Sequence, residues 1–277
     1  MPKVSITLPS LRPDLLAQCV DSIRRNAGCE DYEIVVVSPF PAAGPKIKWI
    51  EEREKTGNCR AHATAYDHAS GEIIVTMSDY IITRRNWLRN VVAFIEEQEQ
   101  ETFPFCAGLF WVNATEVGPT LGTIYGHYYP YYPAASRRSL EAVGGYFSRE
   151  FAANFGDVDL GLRFWAAGGK CLPCWDAVIN QSCRRQFIAP AQTGLKDKIN
   201  DDMAAFAAKW RDSFGRNWLT GRIRAFNIDV PLAVVDFEDL SALPLIISQK
   251  TAAAGYPEGR VSVDVDQLPR HLRYGQS

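Results

Sequence analysis

Tyr32-Glu33-Ile34-Val35-Val36-Val37-Ser38 is the stretch on which the fold turns. Successive residues of a strand point to opposite sides, so the aliphatic run from Ile34 to Val37 puts apolar side chains on both faces. Such a strand belongs inside a parallel sheet covered by helices above and below. Upstream, Val4-Ser5-Ile6-Thr7-Leu8 is a second strand, ending at Pro9. Pro13 opens a helix between them, with Leu15, Leu16, Cys19, Val20 and Ile23 at helical spacing and Gly28 just past its end. Downstream, Pro39, Pro41, Gly44 and Pro45 punctuate a loop before a short strand over Lys46–Ile50. A helix over Asn58–Ala69, a strand over Glu72–Met77 and a helix carrying Trp87, Leu88, Val91, Val92 and Ile95 on one face continue the alternation. The pattern predicts an α/β domain on a mostly parallel sheet flanked by helices. Ligands of such sheets bind beyond the carboxyl ends of the strands, here Pro9-Ser10, Ser38-Pro39 and Ser78-Asp79-Tyr80.

Past residue 100 the alternation loosens. Phe103–Val112 reads as a strand, and Gly118–Pro133, rich in Gly, Pro and Tyr, as a long ordered loop outside the core. Ser136 caps a short helix through Val143; helices follow over Asp157–Ala167 and Lys196–Trp210. This divides the chain into a domain over 1–219, with halves of about 1–100 and about 101–219, and a C-terminal extension over 220–277.

Composition narrows the function classes. A net charge of −2 over 277 residues supplies no general attraction to nucleic acid or anionic lipid. Of the basic residues 21 are Arg and 9 are Lys, a bias towards the planar fork that grips phosphate. The 7 cysteines include a Cys171-x-x-Cys174 pair, but no second pair or nearby His completes a zinc spacing. Reduced thiols, with no secretory signal and no transmembrane segment, predict a cytoplasmic protein. No Gly-x-Gly-x-x-Gly follows the first strand and no Gly-x-x-x-x-Gly-Lys-[Ser/Thr] occurs, which argues against dinucleotide enzymes and P-loop NTPases.

Four stretches carry a family resemblance. They are Val4–Pro9; Gly57-Asn58-Cys59-Arg60-Ala61-His62-Ala63 followed by Ala69-Ser70-Gly71-Glu72-Ile73-Ile74; Met77-Ser78-Asp79-Tyr80 with Trp87-Leu88 downstream; and Ser139-Leu140-Glu141-Ala142-Val143-Gly144-Gly145-Tyr146 running into Phe155-Gly156-Asp157-Val158-Asp159-Leu160-Gly161-Leu162-Arg163. In this order they resemble the inverting family-2 glycosyltransferases of the Rossmann-like GT-A fold, over roughly residues 3–185. The resemblance implies a transferase moving a hexosyl or related sugar from a nucleotide-sugar donor to an acceptor hydroxyl. It places Pro9, Ser10, Ser38, Gly57, Arg60, Ser78 and Asp79 at the donor, with Asp79 as ligand to Mn²⁺ or Mg²⁺. Departures from the family pattern are Ser38 for a base-reading Asp, His62-Ala63 for Arg-Asn, a lone Asp79, Asn180 near a usual His, and Gly156 for Glu.

Inverting transfer needs a carboxylate to take the acceptor proton and positive charge to steady the departing diphosphate. Asp157 is the candidate base, with Asp159 as the alternative and a helix cap as the structural reading. At a helix start the dipole favours the carboxylate and lowers its basicity. Tyr125, His127 and Tyr129 form a candidate acceptor wall, since sugars and bases both stack on aromatic faces. Saccharide or lipid-linked glycan is the acceptor the resemblance implies. Arg137-Arg138 and Arg184-Arg185 keep a hydroxylated nucleobase in DNA open as an acceptor, and the thinned acidic motif keeps open a sugar-nucleotide binder without turnover.

Overall fold

The computed structural model describes residues 2–112, 119–120, 122–124, 127–181 and 196–210. Its strands are β1 (Val4–Pro9), β2 (Tyr32–Ser38), β3 (Ile47–Glu51), β4 (Ile73–Thr76), β5 (Ile81–Thr83), β6 (Phe105–Val112), β7 (Pro119–Thr120), β8 (Gly122–Ile124), β9 (His127–Tyr129), β10 (Pro133–Ser136) and β11 (Lys170–Gln181). Its helices are α1 (Pro13–Asn26), α2 (Asn58–His68), α3 (Trp87–Glu101), α4 (Arg137–Ala142), α5 (Gly156–Ala166) and α6 (Lys196–Trp210). The main sheet runs β3-β2-β1-β4-β10-β6-β11-β5, with β7 beside β6; β8 and β9 form a separate hairpin. Strands β1 to β4, β6 and β11 point one way, and β5, β7 and β10 run against them. The sheet is therefore mostly parallel, as the alternation predicts.

Strand β2 shows why. Ile34 and Val36 pack with Leu16, Val20 and Ile23 of α1, while Val35 and Val37 meet Ala61 and Ala65 of α2 on the other side. All four valine and isoleucine side chains are buried, each contributing about 1.5–3 kcal/mol of apolar burial. Helices α1 and α3 cover one face of the sheet, and α2, α4, α5 and α6 the other.

The aromatic tract departs from its reading as a peripheral loop. It contains β7 to β9 and leads into β10, and Tyr128, Tyr129 and Tyr132 are buried to 1%, 0% and 5% exposure. Trp165 of α5 donates from Nε1 to the Tyr128 carbonyl at 2.8 Å. Strands of two to four residues are too short to show an alternation in sequence, so their tyrosines read as loop residues although they fill the core. The extension proposed over 220–277 lies outside the described residues.

Ile34→Ala is expected to cost about 2–5 kcal/mol in urea denaturation, the range for emptying a fully enclosed aliphatic site. Ile47→Ala on the half-exposed edge strand β3 should cost clearly less. Equal losses would contradict the layered packing described here.

Candidate active site

A cleft of about 220 Å³ opens where β1 and β4 end. Its walls come from five segments: Pro9 to Arg12 at the end of β1, Glu52 and Lys55 after β3, Gly57, Asn58 and Ala61 at the start of α2, Ser78 to Tyr80 after β4, and Ala153 and Asn154 before α5. Pro9, Ser10, Gly57, Ser78 and Asp79, all expected at the donor, thus come together. Ser38 and Arg60 do not line it. The Ser38 hydroxyl, fully buried, donates to the Phe40 carbonyl at 2.6 Å and accepts from Trp49 Nε1 at 3.1 Å. Arg60 turns away and donates from Nε to the Arg149 carbonyl at 3.0 Å.

Asp79 is 2% exposed and lines the cleft. Ser10 Oγ donates to its Oδ2 at 2.7 Å, Arg12 Nε to the same oxygen at 3.1 Å, and Arg12 Nη2 to Oδ1. A carboxylate this buried is tolerated only when paired and hydrogen-bonded, and a two-point guanidinium pair is the strongest form of that pairing. Arg12, 21% exposed, also lines the cleft. Its ring neighbour is Tyr80, 5.5 Å from the guanidinium carbon to the ring centroid. Sequence reading missed Arg12, which lies 67 positions from its partner.

The start of α2 also opens into the cleft. Gly57, the residue before its first turn, holds φ at 104°, and a Cβ there would stand 2.3 Å from the Ala152 carbonyl oxygen. Only glycine permits that approach. The same carbonyl accepts from Cys59 N–H at 2.9 Å, stitching α2 to the segment before α5. No side chain caps α2, and Gly57, Asn58 and Ala61 of its first turn line the cleft. Lys55 lines the cleft beside it.

The segment before α5 is held from a third direction. Asp202 of α6, 3% exposed, accepts from Ala152 N–H at 2.8 Å, Ala153 N–H at 2.7 Å and Asn154 N–H at 2.9 Å. Nothing in the sequence pointed to this carboxylate; α6 read only as an amphipathic helix. Three residues past Asn154 comes Asp157, half-buried in the first turn of α5. Its Oδ1 accepts from Val158 N–H at 2.9 Å. Burial pushes its pKa up to about 7, outweighing the N–H groups of the helix start that pull it down. The dipole argument from sequence had the opposite sign; loss of solvation is the larger effect here. Gly156, where the family carries Glu, has no room for a side chain: a Cβ would meet Cys59 Sγ and a Phe147 ring carbon, each at 2.9 Å.

Asp159 is placed differently. It is fully buried, with Arg163 Nε at 2.9 Å on Oδ2 and Lys209 Nζ at 2.6 Å and Trp210 Nε1 at 3.0 Å on Oδ1. Oδ2 is paired within α5 and Oδ1 ties α5 to α6, so both oxygens are engaged; neither Asp159 nor Asp157 is among the residues that line the cleft. Of the acceptor wall, Tyr129 is core, Tyr125 lies outside the described residues, and the side chain of His127 is among those not described. His62 is also core: burial lowers its pKa to about 3, and its Nδ1 lies 2.9 Å from Thr7 Oγ1. Arg137 donates to the Ala69 and Gly71 carbonyls, and Arg138 lies 4.1 Å over the Phe103 ring. Arg184 and Arg185 lie outside the described residues.

No protein-family model and no curated protein matches the sequence. Solved structures do match. S. aureus TarS 1-349 in complex with UDP-GlcNAc aligns at a TM-score of 0.56 and 14% identity, over 80% of this chain and 70% of that one. The fold is that of a GT-A glycosyltransferase. The mannosyltransferase PcManGT from Pyrobaculum calidifontis, in complex with GDP-Man and Mn²⁺, aligns at 0.51 and 17% identity over 92% of this chain and 81% of its own. GalNAc-T7 with UDP, GalNAc and Mn²⁺ aligns at 0.54 and 11%, over 93% of this chain and 58% of its own. No helix among the described residues is long and apolar enough to cross a membrane.

The Mn²⁺ of those two neighbours raises the question of fit at Asp79. The described residues do not fit a divalent ion there. Both carboxylate oxygens already accept from Arg12 and Ser10, and no group of three His, Cys, Asp or Glu side chains able to hold a metal occurs among the described residues. Asn180 Oδ1, at the position where the family often has His, accepts from Arg84 Nε at 3.2 Å.

Asp202→Asn should destabilise the fold by about 1–3 kcal/mol, because an amide nitrogen cannot accept and strands at least one buried N–H. The same variant should weaken binding of a ligand in the cleft, since Ala153 and Asn154 line it. Denaturant midpoints and titration with nucleoside diphosphates check both; loss of neither would show that the clamp is not needed.

Proposed function

We propose that this protein is an inverting glycosyltransferase that moves a hexosyl or related sugar from a nucleoside-diphosphate sugar to an acceptor hydroxyl. The observation that carries the reading is the cleft itself. It lies at the carboxyl ends of β1 and β4, lined by Arg12, Lys55 and the open end of α2, with the Asp157 turn following directly on its Ala153-Asn154 wall. Cationic groups and a helix N-terminus suit a diphosphate. A carboxyl group poised near neutral pH suits proton abstraction.

In this reading the acceptor oxygen attacks the anomeric carbon from the face opposite the diphosphate. Its proton passes to an Asp157 oxygen as the new carbon–oxygen bond forms. The bond from the anomeric carbon to the phosphate oxygen breaks, and its electron pair leaves with the nucleoside diphosphate. One displacement inverts the anomeric centre. The acceptor is taken as a saccharide or lipid-linked glycan. The arginines Arg137 and Arg138, on which a nucleic-acid acceptor leaned, are engaged within the protein. A binder without turnover leaves the raised pKa of Asp157 unused.

The pH dependence has a definite sign. The base acts ionised, so kcat/KM should climb as pH rises towards about 7 and level off above it. Asp157→Asn should lower kcat by about 10²–10⁴-fold with donor affinity and melting temperature preserved. Thermal shifts over UDP-, GDP-, dTDP- and CDP-sugars identify the donor first, since a bound ligand raises the melting temperature by mass action. Near-normal turnover by Asp157→Asn would sink the base assignment.

A further inference from the structure

We infer that Arg12, held by Asp79, supplies the positive charge that a divalent cation supplies elsewhere in this fold, so that donor activation here needs no metal. The inference rests on the glycosyltransferase reading and concerns how the leaving group is stabilised.

The argument starts with charge. Asp79 carries one negative charge and Arg12 one positive, joined through two guanidinium nitrogens, so the pair presents no net negative charge to an approaching cation. A metal ion would have to break both contacts and the Ser10 bond, then share the cleft with the displaced guanidinium. Divalent ions bind through carboxylates that are open to them. Glu52, the other carboxylate of the cleft lining, uses Oε1 for the Thr56 N–H at 3.2 Å and the Thr56 hydroxyl at 2.7 Å, so it could offer a metal at most its second oxygen.

For an anion the same geometry is favourable. Both residues line the cleft, and of the pair it is the Arg12 side chain, 21% exposed against 2% for Asp79, that is the more accessible. The N-terminal end of α2 and Lys55 line the same space. A diphosphate there meets a cation fixed in orientation by its ion pair, and such preorganised charge acts on the departing oxygen without rearrangement. As the anomeric carbon–oxygen bond breaks, the electron pair moves onto the diphosphate, whose growing charge Arg12 neutralises. Asp79 never touches the donor in this scheme. It is a positioning residue that holds the guanidinium.

The test compares sugar transfer from a panel of UDP-, GDP-, dTDP- and CDP-sugars in EDTA and in Mn²⁺, with Mn²⁺ binding followed by electron paramagnetic resonance. Turnover in EDTA should lie within about twofold of that in Mn²⁺, and the protein should bind no Mn²⁺ beyond what the nucleotide itself holds. Arg12→Lys keeps the charge but loses the fork, and should lower kcat while leaving part of the rate. Arg12→Met/Asp79→Asn removes both charges together, so that no unpaired ion is left buried, and should lower kcat by about 10²–10³-fold. Turnover that EDTA abolishes and Mn²⁺ restores would overturn this inference and leave the glycosyltransferase reading standing. So would a folded double variant with the wild-type kcat. A wild-type protein that neither binds nor turns over any of the sugars, with or without Mn²⁺, removes the functional reading and this inference with it.

Discussion

The two-point ion pair between Arg12 and Asp79 joins the ends of β1 and β4, and the shape of the cleft follows from it. A carboxylate 2% exposed has no way to remain charged without such a partner, and removal of either member leaves the other uncompensated. The pair therefore couples three things: the path of the chain from β1 into α1, the turn between β4 and β5, and the charge presented to a ligand. Ser10 completes the set from the same turn as Arg12. The parallel sheet brings these segments side by side, because β1 and β4 are neighbours in register.

The second organising element is α6, which reaches the site only through other residues. Its Asp202 fixes three consecutive N–H groups of the 152–154 segment, and its Lys209 and Trp210 fix Asp159. The two contacts bracket Asp157, one on each side in the chain. The turn that carries Asp157, the proposed base, is thus held on both sides by side chains of α6, in keeping with the need to hold a reacting group close to its productive geometry.

Much of this was legible in the sequence. The aliphatic run of β2 and the helical spacing of α1 and α3 pointed to the layered sheet, because long, strongly periodic segments report their environment directly. Asp79 and Asp157 stood out as acids at a strand end and a helix start. What could not be read were partners distant in the chain: Arg12 for Asp79, and Asp202 for the 152–154 backbone. The tyrosines of the 118–133 stretch misled because their strands are too short to alternate. The Asp157 environment misled because a dipole is visible in sequence and a desolvated pocket is not. The Asp159 pairing with Arg163 was legible as an i, i+4 ion pair, whereas its contacts to Lys209 and Trp210 of α6, distant in the chain, were not.

The most direct measurement is a crystal structure with the nucleoside diphosphate that thermal shifts select, grown in excess Mn²⁺. The account predicts diphosphate oxygens hydrogen-bonded to the Arg12 guanidinium near the start of α2, with Asp79 still paired to Arg12. A metal ion bridging Asp79 and the diphosphate, with Arg12 swung away, would contradict it.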